Sequence, residues 1–106
     1  MRTARHVALA AFVVLAGWAE VVSAHAEGDR AFGEYLSAEC ITCHRVGAPS
    51  QDIPPIVGLP PATFVDLLTQ YRRKQRANPI MQTIASRLTD EEMAALAAYF
   101  ASLPAR

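Results

Sequence analysis

Phe64, Leu67, Leu68 and Tyr71 recur at i, i+3, i+4 and i+7, the spacing that gathers apolar side chains on one face of an α-helix. Pro61 suits the first turn of that helix, where its missing amide donor costs nothing. The polar run Arg72-Arg73-Lys74-Gln75-Arg76 ends the pattern. Further on, Thr89-Asp90-Glu91-Glu92 reads as a capping box, in which hydroxyl and carboxylate each satisfy a free backbone amide. Behind it Met93, Leu96, Ala97 and Phe100 form the buried stripe of a last helix that Pro104 stops. Upstream, Asp29 is placed to cap a first helix running towards Cys40, with Phe32, Tyr35 and Leu36 on one side. Asn78-Pro79 interrupts the chain, and Ile80 to Leu88 suits one or two helical turns. Residues 46–60 are loop, rich in proline and glycine, and no alternating β-branched run signals a strand. The pattern predicts a small all-α domain of three to five helices around a long irregular middle. A loop of that length in so small a domain is expected to line something.

The N-terminus has a different character. Arg2 and Arg5 precede an apolar run from Val7 to Ala19, and Ala24-His25-Ala26 supplies a small-x-small cleavage pattern. That is the layout of a secretory signal. The alternative, a membrane anchor, suits the run less well, because it is short of the roughly 20 residues a span requires and Glu20 lies near its end. The expected division is a cleaved leader over residues 1–26 and a single domain over 27–106, exported to the oxidising periplasm.

Of ten basic and ten acidic side chains, Arg2, Arg5 and Glu20 fall in the leader, leaving eight and nine. A net charge of −1 offers no general attraction for nucleic acid. The remaining 80 residues make a core too modest to stand easily alone, so a cofactor, metal or disulfide is expected. A disulfide between Cys40 and Cys43 closes too short a loop to contribute much.

Both cysteines lie in Cys40-Ile41-Thr42-Cys43-His44. A thioredoxin-like redox pair requires a βαβ context that is missing here. A structural zinc site requires four ligands, and His6 and His25 both belong to the leader. C-x-x-C-H is the attachment signature of a c-type haem. At a helix end, cysteines at i and i+3 face the same way and reach both vinyl groups of one porphyrin. The next residue, His44, then presents its imidazole to the iron.

With no second histidine in the mature chain, the other axial position falls to a methionine or stays open. Met93 lies on an apolar helical stripe, where methionine usually fills core. Met81 follows Asn78-Pro79 in what is expected to be irregular chain and is the preferred ligand. A His/Met pair raises the reduction potential and suits electron acceptance. His44 also needs an acceptor for its other ring N–H, and a carbonyl within Pro54-Pro55-Ile56-Val57-Gly58 is the candidate. Gly58 would allow the backbone close to the ring.

These residues together, the CxxCH at 40–44, the P-x-I-x-G segment at 54–58, a following methionine and a capped last helix, resemble class I c-type cytochromes. The resemblance implies one covalent haem c wrapped by the helices, with first and last helices crossing near Gly33 and Tyr99. It implies His44 as proximal ligand, Met81 as distal ligand and the Pro54 carbonyl as acceptor from His44. Within the class, residues 64–103 look similar to the haem subunit of flavocytochrome c sulfide dehydrogenases and to small periplasmic dihaem carriers. That implies a flavoprotein partner which oxidises sulfide and passes electrons singly. Arg76 and Asn78 are placed to reach a haem propionate, while Ile56 and Tyr71 complete the candidate contacts with the ring. Ile56, Leu59 and Ile80 would form an apolar rim, and the rest of the basic run would steer an acidic partner. No catalytic acid, base or nucleophile constellation is present, so no activity is expected of the chain alone. The alternatives are a free-standing soluble carrier and an open-site haem protein that binds a gas or peroxide.

Overall fold

The computed structural model describes residues 28–47 and 52–105, with Gly17 standing alone outside those stretches. Apart from Gly17, the expected leader and its cleavage site lie outside the described residues. Among the described residues five helices follow one another: α1 (Arg30–Leu36), α2 (Ala38–Ile41), α3 (Pro61–Arg72), α4 (Pro79–Ser86) and α5 (Asp90–Ser102). None of the described residues is in a strand, and no described helix is long and apolar enough to cross a membrane. The all-α expectation holds.

The first helix is divided rather than continuous. Asp29 caps it as expected, its Oδ1 accepting from the Phe32 amide at 3.1 Å. At Ser37 the buried hydroxyl donates to the Glu34 carbonyl at 2.6 Å, competing with the helical ladder for that acceptor. The chain restarts at once as α2, where the Ser37 carbonyl accepts from Cys40 and Ile41. This short second helix carries Cys40.

The α3 start at Pro61 agrees with the sequence pattern. It ends in a Schellman-type turn, in which the Lys74 amide donates to Tyr71 and the Gln75 amide to Gln70. Lys74 occupies the left-handed position that glycine usually takes, at φ 58°. Arg72, grouped by sequence with the solvated cations, is instead committed internally. Its guanidinium meets Asp90 Oδ1 at 2.7 Å and the Leu88 carbonyl at 3.3 Å, tying the end of α3 to the start of α5. The capping box of α5 is complete, Thr89 and Glu92 exchanging bonds of 3.1 and 2.8 Å.

The buried stripe of α5 is the expected one: Met93, Leu96, Ala97 and Phe100 are all solvent-excluded. Phe100 stacks on Phe64 of α3 with ring centroids 5.7 Å apart, and Leu68 and Ala85 complete the cluster. Helix α1 crosses α5 at Gly33, where an added Cβ would run into the Ala95 carbonyl and the Tyr99 Cβ. The expected crossing of first and last helices therefore depends on a residue without a side chain.

Two outcomes follow from this packing. Gly33→Ala should lower unfolding free energy by at least about 2 kcal/mol, measured by denaturant titration, because backbone must move to admit a methyl group. Lys74→Gly should act oppositely, relieving the left-handed backbone by about 1 kcal/mol and raising Tm by roughly 4–8 °C in a calorimetric scan.

Candidate haem-binding site

Sulfur, imidazole and thioether groups from three separate segments converge on one space. Cys40 arrives on α2, Cys43 and His44 on the turn after it, and Met81 on the first turn of α4. The Cys40 amide and carbonyl are held in the helical ladder, and the His44 amide donates back to Cys40 at 2.8 Å. That turn keeps the motif compact. All four side chains line a largely apolar cavity of about 390 Å³. Phe64, Leu67 and Leu68 of α3, Ile84 of α4 and Leu96 of α5 form much of its wall.

His44 is oriented by a single strong contact: its Nδ1 lies 2.9 Å from the Pro54 carbonyl oxygen. A carbonyl only accepts, so the proton sits on Nδ1, and Nε2 keeps its lone pair for a metal. Proline at 54 and 55 stiffens the segment that offers this acceptor. Both cysteines are free thiols. Burial, with a smaller push from the Glu39 charge, raises Cys40 to about 11, so its sulfur carries a proton at neutral pH. A thioether has no such ionisation to oppose, and an apolar wall suits it.

The remaining sequence-predicted residues divide. Pro54, Ile56, Tyr71, Arg76 and Asn78 all line the cavity. Leu59 and Ile80, expected in an apolar rim, line it too, and Ile80 is 72% exposed at its edge. The Arg76 guanidinium rests over the Tyr71 ring, 5.4 Å from its centroid. Asn78 caps α4, its Oδ1 accepting from the Met81 amide at 3.0 Å. Gly58 stands apart from the lining. Its amide donates to the Phe100 carbonyl at 3.1 Å, and at φ 77° it passes Ala105, where an added Cβ would come within 2.9 Å. Close backbone approach is its role, as expected, but towards the C-terminal segment. Met93 is wholly buried in the core cluster beside Thr69, and it does not line the cavity.

The wall residues of α3 and α5 were visible in sequence only as core stripes. The stripes mark which faces turn inward, and nothing in their periodicity distinguishes an interior filled by side chains from one left for a ligand.

The donor set fits a covalently held haem. Two thiols and one imidazole come from α2 and the turn that follows it, a thioether comes from α4, and the space among them is largely apolar.

Comparison with known proteins points the same way. The family model for cytochrome c matches residues 26–104. A thiosulfate dehydrogenase electron acceptor of Stutzerimonas stutzeri (strain A1501) is 39% identical over 69 residues, 62% of this chain and 32% of that protein. A protein of the same description from Thiomonas intermedia (strain K12) is 33% identical over 70 residues, 63% of this chain and 32% of that one. Cytochrome c4 of Pseudomonas aeruginosa is 31% identical over 81 residues, 74% of this chain and 40% of that one. The chain thus spans 32% to 40% of the length of these curated relatives, which are described as electron acceptors or cytochrome c4 and not as sulfide dehydrogenase subunits. With the family match covering nearly everything from residue 26 onward, and the CxxCH motif of covalent haem attachment at 40–44, this chain belongs to the cytochrome c family.

Proposed function

We propose that the chain is a periplasmic carrier of single electrons, a c-type cytochrome with one haem. Cys40 and Cys43 would anchor the macrocycle, and His44 and Met81 would supply the ligands that hold its iron. The observation that carries this proposal is the meeting of both thiols, the imidazole and the Met81 thioether in a single apolar cavity. When bound, the haem supplies an iron that alternates between ferric and ferrous states. The chain's own contribution is to hold ligands still and keep water out. The Pro54 carbonyl fixes the His44 ring through Nδ1, and the aromatic and aliphatic walls exclude solvent. Arg76, lying over Tyr71 at the cavity lining, offers a cation to a propionate. Residues 1–26 would direct export and residues 27–106 would form the working domain.

The electron donor we infer is a dehydrogenase acting on an inorganic sulfur compound. Two relatives are described as thiosulfate dehydrogenase electron acceptors. The likeness of residues 64–103 to sulfide dehydrogenase haem subunits supports a sulfide-oxidising flavoprotein as the other donor of this class. Arg45 beside His44, and Arg73 and Lys74 in the run after Tyr71, are exposed, and with Ile80 they suit a partner with an acidic, partly apolar face. Mixing the ferric protein with each dehydrogenase and its substrate, with enzyme-free mixtures as blanks, tests the assignment by the rate of haem reduction. Reduction by neither would remove the sulfur donor and leave a general carrier.

Met81→Ala should abolish the weak near-infrared methionine-to-iron band of the ferric protein and let the ferrous protein bind carbon monoxide readily. An unchanged spectrum would eliminate Met81 as a ligand. The double substitution Cys40→Ala, Cys43→Ala should leave mostly unfolded chain, since removing the covalent occupant leaves helices packed around a void. Circular dichroism and NMR dispersion measure that outcome, and a well-dispersed haemless protein would contradict it.

A further inference from the structure

Asn78 lines the cavity, yet its side-chain oxygen is turned to the backbone of the residue that carries the thioether. Pro79 forces its predecessor out of helical geometry, and Asn78 is accordingly extended, at φ −171° and ψ 103°. That fixes Asn78 as the N-cap of α4, Pro79 as its first residue and Met81 as its third. The amides of a first helical turn have no partner within the helix. Pro79 has no amide to satisfy, and the Met81 amide is satisfied by Asn78 Oδ1 at 3.0 Å.

The same turn is held at further points. The Gln82 amide donates to the Asn78 carbonyl at 2.9 Å, and Gln82 Nε2 donates to the Arg76 carbonyl at 2.8 Å. Arg76 is itself laid on Tyr71, and the Schellman turn at Lys74 fixes where this segment leaves α3. The backbone is thus restrained on both sides of Asn78, and the cap bond is the restraint applied to Met81 itself.

We propose that Asn78 is a positioning residue for the second axial ligand: its Oδ1 holds the Met81 backbone where the thioether faces the cavity, and so favours methionine over competing ligands. This inference rests on Met81 being that ligand. Deleting the cap acceptor frees the first turn of α4 to fray, which moves Met81 without altering its sulfur. Loss of a cap corresponds to a factor of about five in a local equilibrium.

The test is a titration of the purified ferric holoprotein with imidazole, followed by loss of the near-infrared methionine band. In Asn78→Ala the half-replacing concentration of imidazole should fall about fivefold. Asn78→Ser, which keeps an oxygen acceptor, should restore it. Thr89→Ala removes the equivalent cap from α5, a helix that carries neither candidate iron ligand, and should lower thermal stability while leaving the imidazole titration unchanged. An unaltered titration in Asn78→Ala would overturn the proposal, and so would an equal shift in Thr89→Ala or a failure of Ser to rescue. If the Ala variant does not accumulate, Asn78→Gly removes the same acceptor while keeping a backbone suited to the cap, and is read in the same way. A native protein without any methionine band defeats the Met81 assignment first, so failure of that foundation is distinct from failure of the cap's role.

Discussion

The helices of this domain close around a space, and the rest of the structure answers to that fact. The buried cluster is small: Phe64 and Leu68 from α3, Ala85 from α4, and Met93, Leu96, Ala97 and Phe100 from α5. Phe64, Leu68 and Leu96 belong both to this cluster and to the cavity wall. Each therefore has one side packed on protein and one side that requires an apolar occupant. A ring held by two sulfurs would supply such a surface, and covalent attachment would prevent its loss by dissociation. Binding that favours only the folded state adds to folding stability, so cofactor attachment and core formation are one problem here.

Holding α1 against α5 is what lets the small core suffice. At Gly33 the two backbones approach until no Cβ fits between them, and Arg30 Nε of α1 donates to Ser102 Oγ of α5 at 2.8 Å. Because Ser37 closes α1 and opens α2 without a loop, the position of Cys40 is coupled to that crossing. The Arg72–Asp90 pair and the Arg72 bond to Leu88 add a second tie, between α3 and α5. Exposed ion pairs contribute modestly, and the value of this one lies in joining two elements that each supply cavity wall.

The parts of this arrangement legible in sequence were those with local causes. Thr89 and Glu92 satisfy each other within one turn, Asp29 caps its own helix, and Pro61 needs no partner to begin α3. The stripe Met93, Leu96, Ala97 and Phe100 follows from helical periodicity alone. Chemistry was legible for a similar reason, since the spacing of Cys40, Cys43 and His44 is itself a geometric specification. What escaped depended on distant neighbours. The division at Ser37 follows from the competing hydroxyl bond, the recruitment of Arg72 from where Asp90 comes to lie, and the placement of Gly58 from the path of the C-terminal segment. Asn78 is the instructive case. In sequence it reads as a break in the chain and a candidate propionate contact, and only the structure shows that it caps α4 and that the capped amide belongs to a residue lining the cavity.

Low reorganisation during electron transfer asks that both iron ligands stay where they are when charge changes. The two candidate ligands sit on different elements, and each is restrained by a bond that does not involve its donor atom. His44 is held through Nδ1 by the Pro54 carbonyl, leaving Nε2 uncommitted. Met81 is held through its amide by Asn78, leaving sulfur uncommitted. Both restraining residues belong to proline-marked segments, one at 54–55 and one at 78–79, where fixed φ angles limit the backbone's alternatives. The sequence thus sets rigidity beside each ligand rather than within it. A donor atom left free of protein bonds but carried on immobilised backbone can meet a metal without first breaking a contact, and that is the condition for ligation that persists in both oxidation states.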